Sequence, residues 1–134
     1  MTTERLENNL IAYLIDVLPS EEISIVSETK RAEIELPCLS IGSVSSERYA
    51  VALPGLLKVG VDITLRCHAG DEVDSDVASW QDQIETILND PSTIKSTCND
   101  GILIQFWDFQ GATMSWDESI METVYKAECL VMRI

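Results

Sequence analysis

The chain has 134 residues, 46% of them hydrophobic, which suffices for one buried core and sets a single domain over residues 1–134 as the expectation. Nine Lys and Arg stand against 23 Asp and Glu, a net charge of −14, so phosphate backbones and anionic lipid surfaces are repelled and tight nucleic-acid binding is not expected. The start Met1-Thr2-Thr3-Glu4-Arg5-Leu6-Glu7 has neither the basic residues nor the apolar run of a secretory signal, and no later stretch reaches membrane-spanning length, so a cytoplasmic origin with no membrane partner is expected.

Leu6, Leu10, Leu14, Val17 and Leu18 recur at helical spacing and predict an amphipathic helix over about 4–18, capped by Thr3 and ended by Pro19-Ser20. Residues 20–31 read as a polar connector. From Glu33 the pattern becomes extended, with Ile34, Leu36, Leu39 and Ile41 apolar and Pro37 pointing to an edge strand or a bulge. Residues 42–55 read as a long connection, in which Ser43, Ser45, Ser46, Glu47 and Arg48 precede the more apolar Tyr49-Ala50-Val51-Ala52-Leu53-Pro54. The clearest strand follows, with Val59, Val61, Ile63, Leu65 and Cys67 alternating with Lys58, Gly60, Asp62, Thr64 and Arg66.

Ala69-Gly70-Asp71 breaks that strand, and Val73, Val77, Trp80, Ile84, Ile87 and Leu88 then mark the stripe of a second helix over about 72–89. Asp71, Glu72 and Asp74 sit where a helix start favours negative charge. Asp90-Pro91-Ser92 suits the start of a further short helical turn. A strand over 102–109, a turn near Gln110-Gly111 and a long strand over about 120–133 complete the chain. In the last strand Met121, Thr123, Tyr125, Ala127, Cys129 and Val131 share one face. The order helix, strands, helix, strands predicts an α+β fold, an antiparallel β-sheet packed with two α-helices.

Chemistry is sparsely signalled. His68 is the single histidine, and it alternates to the polar face of its strand. The run Asp71-Glu72-Val73-Asp74-Ser75-Asp76 lacks the glycine of a calcium loop and is explained by the helix it opens. No Gly-x-Ser-x-Gly elbow, P-loop or Gly-x-Gly-x-x-Gly occurs. The four cysteines form no Cys-x-x-Cys pair, and Cys38, Cys67 and Cys129 lie in apolar runs as small core residues. No catalytic residue, cofactor or metal is therefore nominated, and an enzyme is not expected. What stands out is large apolar groups in expected loops, where they would serve as contact anchors: Tyr49, Val51 and Leu53 in the long connection, Trp107 and Trp116 about the turn. Phe106 and Phe109 are expected to face the core.

Three parts of the chain carry a resemblance. They are the first helix ending Leu14-Ile15-Asp16-Val17-Leu18, the passage from Val61-Asp62-Ile63-Thr64-Leu65-Arg66-Cys67-His68 into Trp80-Gln81-Asp82-Gln83-Ile84-Glu85-Thr86-Ile87-Leu88, and the long last strand. Their order resembles the tail terminator and tail-completion proteins of long-tailed bacteriophages. That resemblance implies a virion protein of the tail and neck, forming a ring, usually a hexamer, that caps the tail tube, stops its polymerisation and docks the head–tail connector. It implies other copies of the chain, the tail tube protein and the connector protein as partners, with a tail sheath protein as a further candidate. DNA would pass through the lumen without specific binding. In such a ring a sheet and its extended loop meet the adjacent subunit, which makes Tyr49, Val51, Leu53, Trp107 and Trp116 candidate subunit or tail-tube contacts.

Charge constrains that picture, because six copies of a chain with net charge −14 would gather roughly −84. Acids would then belong on the rim and in the lumen, with apolar groups and the few Lys and Arg at contacts. The alternatives are another neck or head–tail joining protein, a monomeric adaptor that binds a host protein, and a small enzyme with a pocket near His68 or the acidic run.

Overall fold

A computed structural model describes residues 2–29, 36–48, 55–68, 75–117 and 119–134, with 75 and 76 as backbone alone. Helix α1, Thr2–Val17, forms on the expected stripe, and Leu6, Leu10 and Leu14 are fully buried. Its last turn closes through the Leu18 N–H on the Leu14 carbonyl at 2.9 Å, and Pro19, with no N–H to donate, follows. Thr3 is the second residue of the helix rather than its cap.

The expected polar connector contains a strand, β1, Ser24–Ser27. Ile25 faces the core from it and Ile23 from just before it, two apolar residues being too few to display a period. β1 runs parallel to β2, Cys38–Arg48, over the register Ser24↔Cys38 to Ser27↔Ile41. Pro37 lies just before β2, where its missing N–H costs no ladder bond, and its carbonyl accepts from the Ser24 N–H at 3.2 Å.

Residues 42–48 continue β2, so the expected long connection begins later than the serines suggest. Backbone pairing with β3, Leu56–His68, is indifferent to their polarity and runs from Cys38↔Arg66 to Arg48↔Leu57, with one shift between Ser43 and Ser45. That crossing explains Gly60, where a Cβ would stand 2.6 Å from the Ser45 Oγ. β3 buries Val59, Val61, Ile63, Leu65 and Cys67, as its alternation predicts.

Two further helices follow, α2, Ser75–Leu88, and α3, Pro91–Thr97, making three helices among the described residues where the fold expectation counted two. Val77, Ile84 and Leu88 of α2 are buried, with Trp80 and Ile87 half-buried against them. Asp90 caps α3, accepting from the Thr93 N–H at 3.4 Å and hydroxyl at 2.7 Å, and Pro91 takes the first helical position. Asp90→Ala is expected to lower stability by about 1 kcal/mol, read as a fall in the urea midpoint at unchanged m.

β4, Ile102–Asp117, and β5, Ile120–Arg133, complete a five-stranded sheet of order β1-β2-β3-β5-β4. All neighbours are antiparallel except β1 and β2, so the sheet is mixed and not purely antiparallel. The expected turn at Gln110-Gly111 is a bulge inside β4, where the register shifts between Phe109 and Gly111 and Gly111 takes φ 108°. The buried residues form one cluster, in which Leu6, Leu10, Leu14, Ile84, Leu88 and Ile94 of the helices meet one face of the sheet. Among the described residues no helix is long and apolar enough to cross a membrane.

Candidate interaction surface

His68 is exposed at the last position of β3, opposite Ile120. Among the described residues no three His, Cys, Asp or Glu side chains gather in a way that could hold a metal ion. The acidic residues 71–74 and their proposed capping role lie outside the described residues. All four cysteines are buried. Burial pushes the Cys98 and Cys129 thiols up to about 12, and their sulfurs sit 3.7 Å from the carbonyls of Asn9 and Val59. They are core groups and not nucleophiles at neutral pH.

A thiol whose pKa is raised on folding keeps its proton longer in the folded chain. Its contribution to stability is complete below the unfolded value near 9.0 and is lost as pH climbs toward the folded value near 12. Unfolding free energy is expected to fall above about pH 9 by up to about 1.4 kcal/mol per pH unit for each thiol, measured by urea titration at stepped pH. Tyr125, raised by burial, adds to the same trend.

The nominated anchors divide. Tyr49, Val51 and Leu53 lie outside the described residues. Trp107 is only 4% exposed and its indole N–H donates to the Leu88 carbonyl at 2.8 Å, so it belongs to the core and is not presented as a contact. Phe106, expected inside, is 50% exposed. One irregularity causes both reversals: the register slips between Ile104 and Phe106, which sends Phe106 to the face of Leu130 and turns Trp107 to the helix side opposite Cys129. Phe109 packs on the core and stacks with Tyr125 at 6.4 Å between centroids, as expected. Trp116 is 57% exposed.

The two faces of the sheet differ in chemistry. On the face away from the helices, cross-strand neighbours pair Leu103 with Met132 and Phe106 with Leu130. Beside them Lys58 meets Glu128 at 3.6 Å. Further along, the half-buried Arg66 donates from Nε to Glu122 at 2.9 Å and from Nη1 to the Ser40 hydroxyl at 2.9 Å, with Glu28 3.7 Å from Nη2. The helical layer, by contrast, exposes Glu4, Asp16, Glu22, Asp82, Glu85 and Asp90, and among the described residues its exposed cations are Arg5 and Lys95. The helical layer is therefore mostly acidic, while the other face mixes apolar pairs and the Lys58–Glu128 and Arg66–Glu122 ion pairs with the acids Asp62 and Asp108. Sequence reasoning missed this partition, because a polar residue acquires a side only once the register is known.

β4 is the terminal strand of the sheet, and its 16 residues include two charges, Asp108 and Asp117, and neither lysine nor proline. Edge strands are ordinarily blunted by such residues. β2, where it extends past β1, is treated differently: the Ser43 N–H and hydroxyl both donate to Glu7 of α1, at 3.2 and 2.8 Å. Between α2 and the far half of β4 lies an open groove of about 190 Å³, lined by Gln81, Glu85, Ala112, Met114, Thr123 and Tyr125. The chain matches no family model and no curated protein.

Proposed function

We propose that the protein is a structural virion subunit, a ring-forming tail terminator that caps the tail tube at its head-proximal end and joins it to the head connector. The observation that supports this reading is the sheet face bare of helices, where Leu103, Phe106, Leu130 and Met132 adjoin the Lys58–Glu128 pair in a chain of net charge −14. Copies meeting through that apolar patch bring Leu103, Phe106, Leu130 and Met132 together beside the Lys58–Glu128 pair and leave the acidic helical layer for rim and lumen. An acidic lumen repels phosphate, so DNA passes without specific binding. The partners in this reading are other copies in a hexamer, the tail tube protein, the connector and a sheath protein where the tail has one. It calls on no catalytic step and no cofactor.

The test is mass in solution, by light scattering, with and without purified tail tubes. The expected result is a discrete oligomer of about six 14.9 kDa chains, alone or on the tube ends, and a strict monomer that ignores tubes overturns the reading. A monomeric adaptor is the second reading, favoured by the ungated edge of β4, and it requires a stable complex with a host protein instead.

A further inference from the structure

We propose that the edge of β4 over residues 112–116, with the groove beside α2, binds an extended segment of another protein that presents two large apolar residues and a Lys or Arg at alternate positions, taken up as a sixth strand. This site does not depend on ring formation.

The backbone of this edge is open to strand addition. Beyond the bulge at Gly111 the pairing of β4 with β5 runs without a shift from Ala112↔Tyr125 to Asp117↔Ile120, so the outward N–H and C=O groups are regularly spaced. Pro, Lys and bulges, the usual obstacles to strand addition, do not occur between 112 and 116.

Side chains then set the pattern. Ala112, Met114 and Trp116 alternate on the helix side, but α2 stops above β5, held there by Gln81 Nε2 on Thr123 Oγ1 at 3.0 Å and the Tyr125 hydroxyl on the Gln81 carbonyl at 3.3 Å. Met114 and Trp116 are left 51% and 57% exposed where a neighbouring strand, about 4.8 Å away, would lay its own side chains. Two large apolar residues cover them. At the third position the small side chain of Ala112 leaves the groove open to Tyr125 and to Glu85 on its wall.

Charge selects what fills that position. Neither α2 nor β4 contains a Lys or Arg, Glu85 lines the groove, and Asp82 lies close enough to act on the Tyr125 hydroxyl. The Tyr125 hydroxyl, raised by burial and then by Glu85, Cys67 and Asp82, reports the same negative surroundings. A Lys or Arg stem lies over Ala112 and the Tyr125 ring while its head reaches Glu85. A second copy, itself at −14, brings mostly more acid to this groove.

The probe is a pair of short capped peptides with Lys, Val, Phe and Lys at alternate positions and Thr between, the control carrying Glu for both Lys. Each is titrated into the full ¹⁵N-labelled chain. The Lys peptide is expected to shift the amides of 111–117 and of Gln81 and Glu85, while the Glu peptide leaves them unmoved. Trp116→Ala and Glu85→Lys should each weaken binding by about tenfold or more, and methylating alternate peptide amides should abolish it. Glu22→Lys, the same charge change at a remote exposed turn, should alter affinity by about twofold at most. Shifts scattered over the acidic helices, equal losses in Glu22→Lys and Glu85→Lys, or indifference to methylation reduce the effect to general attraction and overturn the proposal. So do failure of both peptides to bind and self-association through 111–117 without peptide, the latter assigning the edge to a second copy.

Discussion

Trp107→Ala is expected to lower the unfolding free energy by about 3–5 kcal/mol, a large share of the roughly 5–15 kcal/mol available to a domain of this size. The indole is 4% exposed and fills the space between β4 and the end of α2. Its N–H also satisfies the Leu88 carbonyl at 2.8 Å, one of the last carbonyls of α2, which have no partner within the helix. Two losses therefore combine, a large cavity and an unpaired carbonyl. Trp107→Phe separates them, since it keeps most of the packing and removes only the donor, and should cost about 1–3 kcal/mol. Urea unfolding of both variants at unchanged m is the measurement. A cost below about 1 kcal/mol for Trp107→Ala would contradict the core assignment and return this residue to the surface.

Trp107 also shows where sequence reasoning stops. β3 and the buried face of β5 were legible because their alternation is unbroken, from Val59 to Cys67 and from Met121 to Val131. α1 and α2 declared themselves by stripes of Leu, Val and Ile, and α3 by Asp90-Pro91. β1 has four residues with one apolar side chain turned to the core, too short to carry a period. Residues 43–46 of β2 read as a loop because Ser-Val-Ser-Ser is polar, although the ladder to β3 needs only their backbone. In β4 each of two bulges reverses the face of everything after it, so Phe106, Trp107 and Trp116 could not be sorted by counting. Gly111 is a visible signal that in the sequence reads equally as a turn; nothing comparable marks the slip between Ile104 and Phe106. The juxtaposition of Lys58 with Glu128, and of Arg66 with Glu122, depends on the β3–β5 register, which local patterning does not contain.

That register makes the second large effect testable. Phe106→Ser is expected to abolish oligomer formation while leaving the monomer folded. The ring is 50% exposed, so its removal costs the isolated chain far less than the Trp107 change, on the order of 1 kcal/mol. At a contact, an aromatic of this kind contributes about 2 kcal/mol or more, roughly a 30-fold loss in subunit affinity, and in a closed ring the loss recurs at every interface. Leu130→Ser, altering the residue directly opposite Phe106 on the same face, should reproduce the effect. Trp116→Ala changes the other side of the sheet and should leave the oligomer intact while weakening capture of a basic strand, so the two surfaces are separated by two substitutions. Mass by light scattering and near-ultraviolet dichroism distinguish loss of assembly from loss of fold. If Phe106→Ser and Leu130→Ser both assemble at the wild-type concentration, the sheet face is not the subunit contact and the ring reading loses the observation on which it rests.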